Sequence, residues 1–190
     1  MTTIIKMPLR SANPQMMQDL QEKYPDAELQ IELARNIPGG LLTEQRFWEL
    51  IGLLDWSKEG NDEAVLEPLV AALAAGPMRH IYEFEDLLSQ KLYALDGIIY
   101  ARNIGQSAYR DGAYFSPDIF LYARCCAVAN GRETYEQVLK NSEIMPKDID
   151  FGALLRASQE AFKRKTGRNL DYIPAYPIET YSNHAGWQEA

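Results

Sequence analysis

The sequence predicts a mainly α-helical protein: a compact bundle of about six helices, with a small N-terminal βαβ element and an irregular Tyr/Pro-rich C-terminal tail. Three observations carry that expectation. Within residues 115–135, FSPDIFLYARCCAVANGRETY, every position from Ile119 to Ala129 except Arg124 is apolar or aromatic, as in a buried central helix with no solvent face. Residues 27–34, AELQIELA, place Leu29, Ile31 and Leu33 on one side and Glu28, Gln30 and Glu32 on the other, the period of two of a strand. The closing NLDYIPAYPIETYSNHAGWQEA is too rich in Pro and Tyr to continue a helix.

In chain order, residues 3–9 (TIIKMPL) read as a short edge strand because of Pro8. Asn13-Pro14 opens a helix over QMMQDLQEKY, and the alternating 27–34 strand completes a βαβ unit. NIPGG at 36–40 is a break, so residues 1–40 form the small β element, 41–170 the helical domain and 171–190 a tail that packs back on it. Thr43 can cap EQRFWELIGLL, and WSKEGND is a loop. Helices follow over DEAVLEPLVAALAA, which tolerates Pro68, and over residues 78–96, with Gly97 kinking or ending the latter. After the glycine-bearing loop 105–114, Ser116 caps the central helix with Pro117 at its first position. Asn130-Gly131 separates it from GRETYEQVLK. Asp150 can cap FGALLRASQEAFKRKTG, whose terminal cations complement the helix dipole. The tail can add an edge strand through residues 176–181.

The chain has 190 residues and a formal charge of −8, from nineteen Lys+Arg against twenty-seven Asp+Glu. That balance argues against sequence-independent nucleic-acid binding, which needs a cationic surface, and suits a basic protein partner, because opposite fields speed encounter. No stretch reaches the length of a membrane span, and the N-terminus lacks a secretory apolar run, so a cytoplasmic protein is expected. Cys125 and Cys126 are neighbours on a helix, pointing in different directions, and read as small buried hydrophobes.

Three stretches, FWELI at 47–51, IYEFEDLLSQKLYALD at 81–96 and DIFLYARCCAVANGRETY at 118–135, carry a resemblance. They are similar to a bacterial family known only as a domain of unknown function, number four-two-four-zero, the last matching its D-x-F-x-Y-x-R…G-x-x-x-Y pattern. The resemblance spans roughly residues 43–165 and implies an all-α fold, without implying an activity.

No motif specifies a reaction. Arg124, on an apolar helix, must find carboxylates or carbonyls, and Glu85, Asp96 and Glu133 are the available partners. It therefore reads as a buried ion pair fixing helix register, or as an anion-binding arginine in a pocket. His80, Glu83 and Asp86 share a helix face but lack the paired Glu-x-x-His motifs of a di-metal site, so a solvated acidic face is the plainer account. His184 has no nucleophile partner in sequence, and NIPGGLLTE lacks a P-loop lysine. Neither metal nor cofactor is expected. The carboxylates Glu59, Asp62, Glu63 and Glu67, together with the tail aromatics Tyr172, Tyr176, Tyr181 and Trp187, suggest a docking face for a basic protein.

The expectation from sequence is thus a non-catalytic protein-binding module, in its sharpest form an immunity-type protein that neutralises a basic effector or toxin. The alternative is a small enzyme or anion-sensing domain centred on Arg124.

Overall fold

The computed structural model describes residues 14–25 and 40–188, and the chain divides into two compact units, residues 1–37 and 38–190. In the first, helix α1 (Pro14–Lys23) follows the Asn-Pro start. The strands expected at 3–9 and 27–34 lie outside the described residues; no strand occurs among those described, and the fold seen here is mainly helical.

The second unit carries α2 (Glu44–Ile51), α3 (Asp62–Ala75), α4 (Met78–Ala94), the single turn α5 (Ile98–Ala101), α6 (Pro117–Ala129), α7 (Arg132–Lys140) and α8 (Ala157–Thr166), with short 3-10 turns between them. The starts follow local chemistry. Thr43 accepts a hydrogen bond from the Arg46 N–H at 3.1 Å, and Asn61 one from Ala64 at 3.1 Å, each satisfying a donor that the first helical turn leaves free. Ser116 does the same for α6 ahead of Pro117. Gly131, at φ 91°, supplies the left-handed turn between α6 and α7.

α6 is the centre. Phe120, Leu121 and every residue from Ala123 to Ala129 are buried, packed against α4 on one side and α7 on another. α3 lies along α8, and Phe47, Phe84, Leu66, Leu69, Leu73 and Ile81 belong to the same buried cluster as the apolar residues of α6. At roughly 2 kcal/mol for each fully buried large aliphatic or aromatic side chain, this apolar interior is the main stabilising term.

Two expectations about local structure need correction. The helix expected from Asp150 begins instead as a 3-10 turn over Gly152–Arg156, and only Ala157–Thr166 is α-helical. Asp150 is exposed and caps nothing; the Phe151 N–H goes to the Tyr122 carbonyl of α6 at 3.2 Å, pinning the chain before the helix starts. A Cβ on Gly152 would sit 2.8 Å from the Tyr122 ring, so only glycine allows this approach. The tail, likewise, is no edge strand. Tyr181 has φ 78°, and the N–H groups of Ala175, Tyr181 and Asn183 go to carboxylates instead of a neighbouring strand. It packs on the helices within the same unit.

Candidate functional site

The carboxylates named from sequence fall into two unlike settings. Glu59, Asp62, Glu63 and Glu67 lie on the turn before α3 and on its first two turns, all exposed. Glu67 receives both guanidinium nitrogens of Arg164 at 2.7 Å, which hold its carboxyl below the usual range. Glu63 lies 3.8 Å from Arg156. Among the described residues, Glu59 and Asp62 have no ionic partner. Trp56, expected in a loop, opens the 3-10 turn Trp56–Lys58 that leads into this face. One side of its ring packs on Phe151 at 5.0 Å and it remains 43% exposed, with Leu53 at 39%. The signal for it was a lone tryptophan in an otherwise polar stretch.

The other setting is closed. Arg124 and Asp96 are both 0% exposed. Asp96, just past α4, accepts N–H groups from Tyr181 at 3.2 Å and Asn183 at 2.9 Å, and the Trp187 indole N–H at 2.8 Å. Arg124 Nη1 lies 3.9 Å from the same carboxylate and donates to the Leu92 carbonyl at 2.9 Å; Nη2 donates to Ile178 O and Thr180 Oγ1, each at 3.0 Å. Its guanidinium also stacks over Phe120, 4.8 Å from the ring centre. Burial disfavours the Arg124 charge and Asp96 offsets that cost. Trp187 completes the knot, 4.4 Å from Tyr181 and 5.8 Å from Phe120 and Tyr109.

Of the three carboxylates considered for Arg124, Asp96 alone reaches it. Glu133 is exposed on α7 and accepts from Gln137. Glu85 points elsewhere on α4: burial pushes its carboxyl up, the Ser158 hydroxyl partly opposes this, and Asp86 adds to it. Of the aromatics proposed as interface anchors, Trp187 and Tyr181 belong to the knot, while Tyr176 packs on Tyr93 at 5.4 Å and Tyr172 on Tyr82 at 5.0 Å.

His80, Glu83 and Asp86 do not form the solvated acidic face expected of them. Glu83 accepts the Leu42 N–H at 2.8 Å and pairs with Arg79, His80 meets the Gly40 carbonyl at 3.3 Å, and Asp86 takes the Tyr172 hydroxyl at 2.7 Å and the Ala175 N–H at 2.8 Å. Each holds a neighbouring segment. Lys165 reaches past its own helix to the Ala74 and Gly76 carbonyls at 2.9 and 2.8 Å, so it caps α3. Desolvation raises the Cys125 and Cys126 thiols to about 12 and about 11, which suppresses thiolate chemistry at neutral pH.

Among the described residues no group of three or more His, Cys, Asp or Glu is placed to hold a metal ion, and no helix is long and apolar enough to cross a membrane. No curated protein and no solved structure matches the chain. A family model, described as Protein of unknown function (DUF4240), matches residues 42–164, which include α2 to α7, nearly all of α8, and both Asp96 and Arg124. The chain belongs to the DUF4240 family.

Proposed function

We propose that the protein is a non-catalytic binding module whose docking face is the acidic surface around Trp56, and that its partner is a basic protein. The observation that carries this is a half-exposed tryptophan, backed by Phe151, beside Glu59, Asp62 and Glu63. Tryptophan is favoured as an interface anchor because it removes a large apolar area from water with few rotatable bonds. Carboxylates around it steer a cationic partner and reject an anionic one. In the sharpest form of this reading the protein is of the immunity type and neutralises a basic effector, consistent with a formal charge of −8. The reading that centres an enzyme or anion sensor on Arg124 has lost support, because that guanidinium is 0% exposed and both of its terminal nitrogens are taken by carbonyls, Thr180 and Asp96.

The test is affinity co-purification of the tagged chain from its native cells, at low and moderate salt, beside two variants. One carries Glu59→Lys, Asp62→Lys and Glu63→Lys; the other carries Trp56→Ala. A stoichiometric basic partner retained by the parent and lost from both variants is expected. A partner that binds the charge-reversed chain equally well, or none in any condition, overturns the assignment.

A further inference from the structure

The C-terminal segment lies on the helical body as a bound peptide lies in a groove. It follows α4 in the direction of the helix: Asp86 holds Tyr172 and Ala175, Tyr93 meets Tyr176, and Asp96 holds Tyr181, Asn183 and Trp187. It forms no regular structure before the single turn His184–Trp187. The groove reads its main chain. Arg124 supplies a donor to the Ile178 carbonyl while Asp96 supplies acceptors for two N–H groups, and both ions are fully buried beneath it. Side chains at three positions are selected. The Thr180 hydroxyl bridges Arg124 Nη2 and the Pro117 carbonyl. Gly186 faces Gly97, where a Cβ would come 2.5 Å from the Asp96 carbonyl oxygen. Trp187 fills the aromatic pit and reaches Asp96.

We propose that this groove on α4 and α6 is a peptide-recognition site. Its occupant in a complex is an extended segment of a second polypeptide, carrying a hydroxyl residue and, six positions later, a Gly-Trp pair; the chain's own tail is the resident competitor. Three observations favour exchange over a permanent fixture. Asp86, Asp96 and Arg124 lie within the family match at 42–164, whereas the segment they hold lies beyond it. The resident tail carries backbone strain, because Tyr181 sits at φ 78°, a region that non-glycine residues with bulky side chains rarely adopt, so a segment with Gly at that place would fit better. Beside Gly186 lies an open cleft of about 590 Å³ between Ile98, Ile99 and Tyr100 on the body and Ala185 and Gln188 of the tail, which gives a bulkier segment room. Tethering keeps the tail at a high effective concentration, so an outside segment binds well only once the tail is loosened. This site is separate from the acidic face around Trp56, and neither assignment needs the other.

The probe is a fluorescent peptide with the sequence of residues 170–188, LDYIPAYPIETYSNHAGWQ, titrated by anisotropy into the full chain and into a full-length Gly186→Val/Trp187→Ala variant whose own tail is loosened. The loosened chain is expected to bind the peptide at least about tenfold more tightly than the parent. A peptide with Tyr181→Gly should bind severalfold more tightly still, and one with Gly186→Val should not bind. A loosened chain that keeps its helical circular dichroism and cooperative melt yet ignores the peptide overturns the proposal. Native-state hydrogen exchange on the parent covers the case in which the variant does not fold. The Tyr181 and Asn183 amides should then exchange through a local opening insensitive to low denaturant. Exchange of these amides only through global unfolding would make the tail a fixed part of the fold and sink the idea.

Discussion

Two arginine–carboxylate pairs in this molecule have opposite virtues. Arg164 and Glu67 join α8 to α3 with two parallel contacts of 2.7 Å, the favoured fork geometry, but their side chains are 43% and 54% exposed. Arg124 and Asp96 stand 3.9 Å apart, at the edge of an ion pair, and both are 0% exposed. Distance alone would rank the first as stronger. Burial reverses the order: water and salt screen the exposed pair, whereas loss of either buried ion strands the other in a low-dielectric interior. The buried pair is also not self-sufficient, since most of its hydrogen bonds go to the tail and to one carbonyl of α4. Its role is therefore to tie three segments of chain together.

The largest effect expected from breaking that contrast comes from Asp96→Ala. It removes the carboxylate paired with Arg124 and leaves the Tyr181, Asn183 and Trp187 donors without that acceptor. A loss of about 3–5 kcal/mol is expected in urea melts. The change should also raise tryptophan fluorescence quenching by acrylamide, as Trp187 loses its anchor. A loss below about 1 kcal/mol would mean that burial does not rank these pairs.

Thr180→Val tests the tail's side of the knot alone. The side chain keeps its volume and loses the hydroxyl that accepts from Arg124 and donates to the Pro117 carbonyl. Arg124 retains the Leu92 and Ile178 carbonyls, so the expected cost is about 1–2 kcal/mol, again by denaturant melt. A neutral result would place the tail's stabilisation in Trp187 packing.

How much of this was legible beforehand follows from which groups carry it. The capped starts at Thr43 and Ser116 and the Gly131 turn could be read directly, because each depends on residues a few positions apart. Arg124 was recognisable as a charge in need of partners for the same local reason. Its actual acceptors were harder, since two are main-chain carbonyls, which every residue possesses, and the third sits on a tail with no periodicity. Choosing Asp96 over Glu85 and Glu133 required knowing that Gly97 and Gly186 let two backbones touch. The tail was misread as a strand because its N–H partners are side-chain carboxylates on α4, and pattern reading assigns such donors to a neighbouring strand by default. Trp56 was passed over because loop tryptophans carry no period.

A smaller effect, of opposite sign, is expected at Glu85. Burial raises its carboxyl above the ordinary value of 4.5, so the folded state holds that proton more tightly than the unfolded chain does. Ionised Glu85 therefore costs stability once the pH has risen through its folded pKa, and costs nothing below the unfolded one. Glu85→Gln should raise the melting temperature at pH 7, with the difference from the parent closing as the pH falls below about 4.5. A gain that persists unchanged at pH 3 would show that the carboxyl's charge is not the cause.

The smallest effect is expected where the geometry is best. Glu67→Gln and Arg164→Gln, with the double variant, form a cycle that isolates the coupling between α3 and α8 at the surface. Each partner holds a long side chain in one orientation in high-dielectric surroundings, so the coupling should lie below about 1 kcal/mol and shrink further in about 0.5 M salt. α3 packs along α8, and the buried Leu66, Leu69, Ala161 and Phe162 of these two helices are left intact by the cycle. Lys165 also remains on the Ala74 and Gly76 carbonyls, so the end of α3 keeps its cap in every variant. A salt-insensitive coupling above about 2 kcal/mol would place Glu67 and Arg164 in a drier setting than their exposure implies. It would also remove Glu67 from any face offered to a cationic partner, because its charge would already be spent on α8.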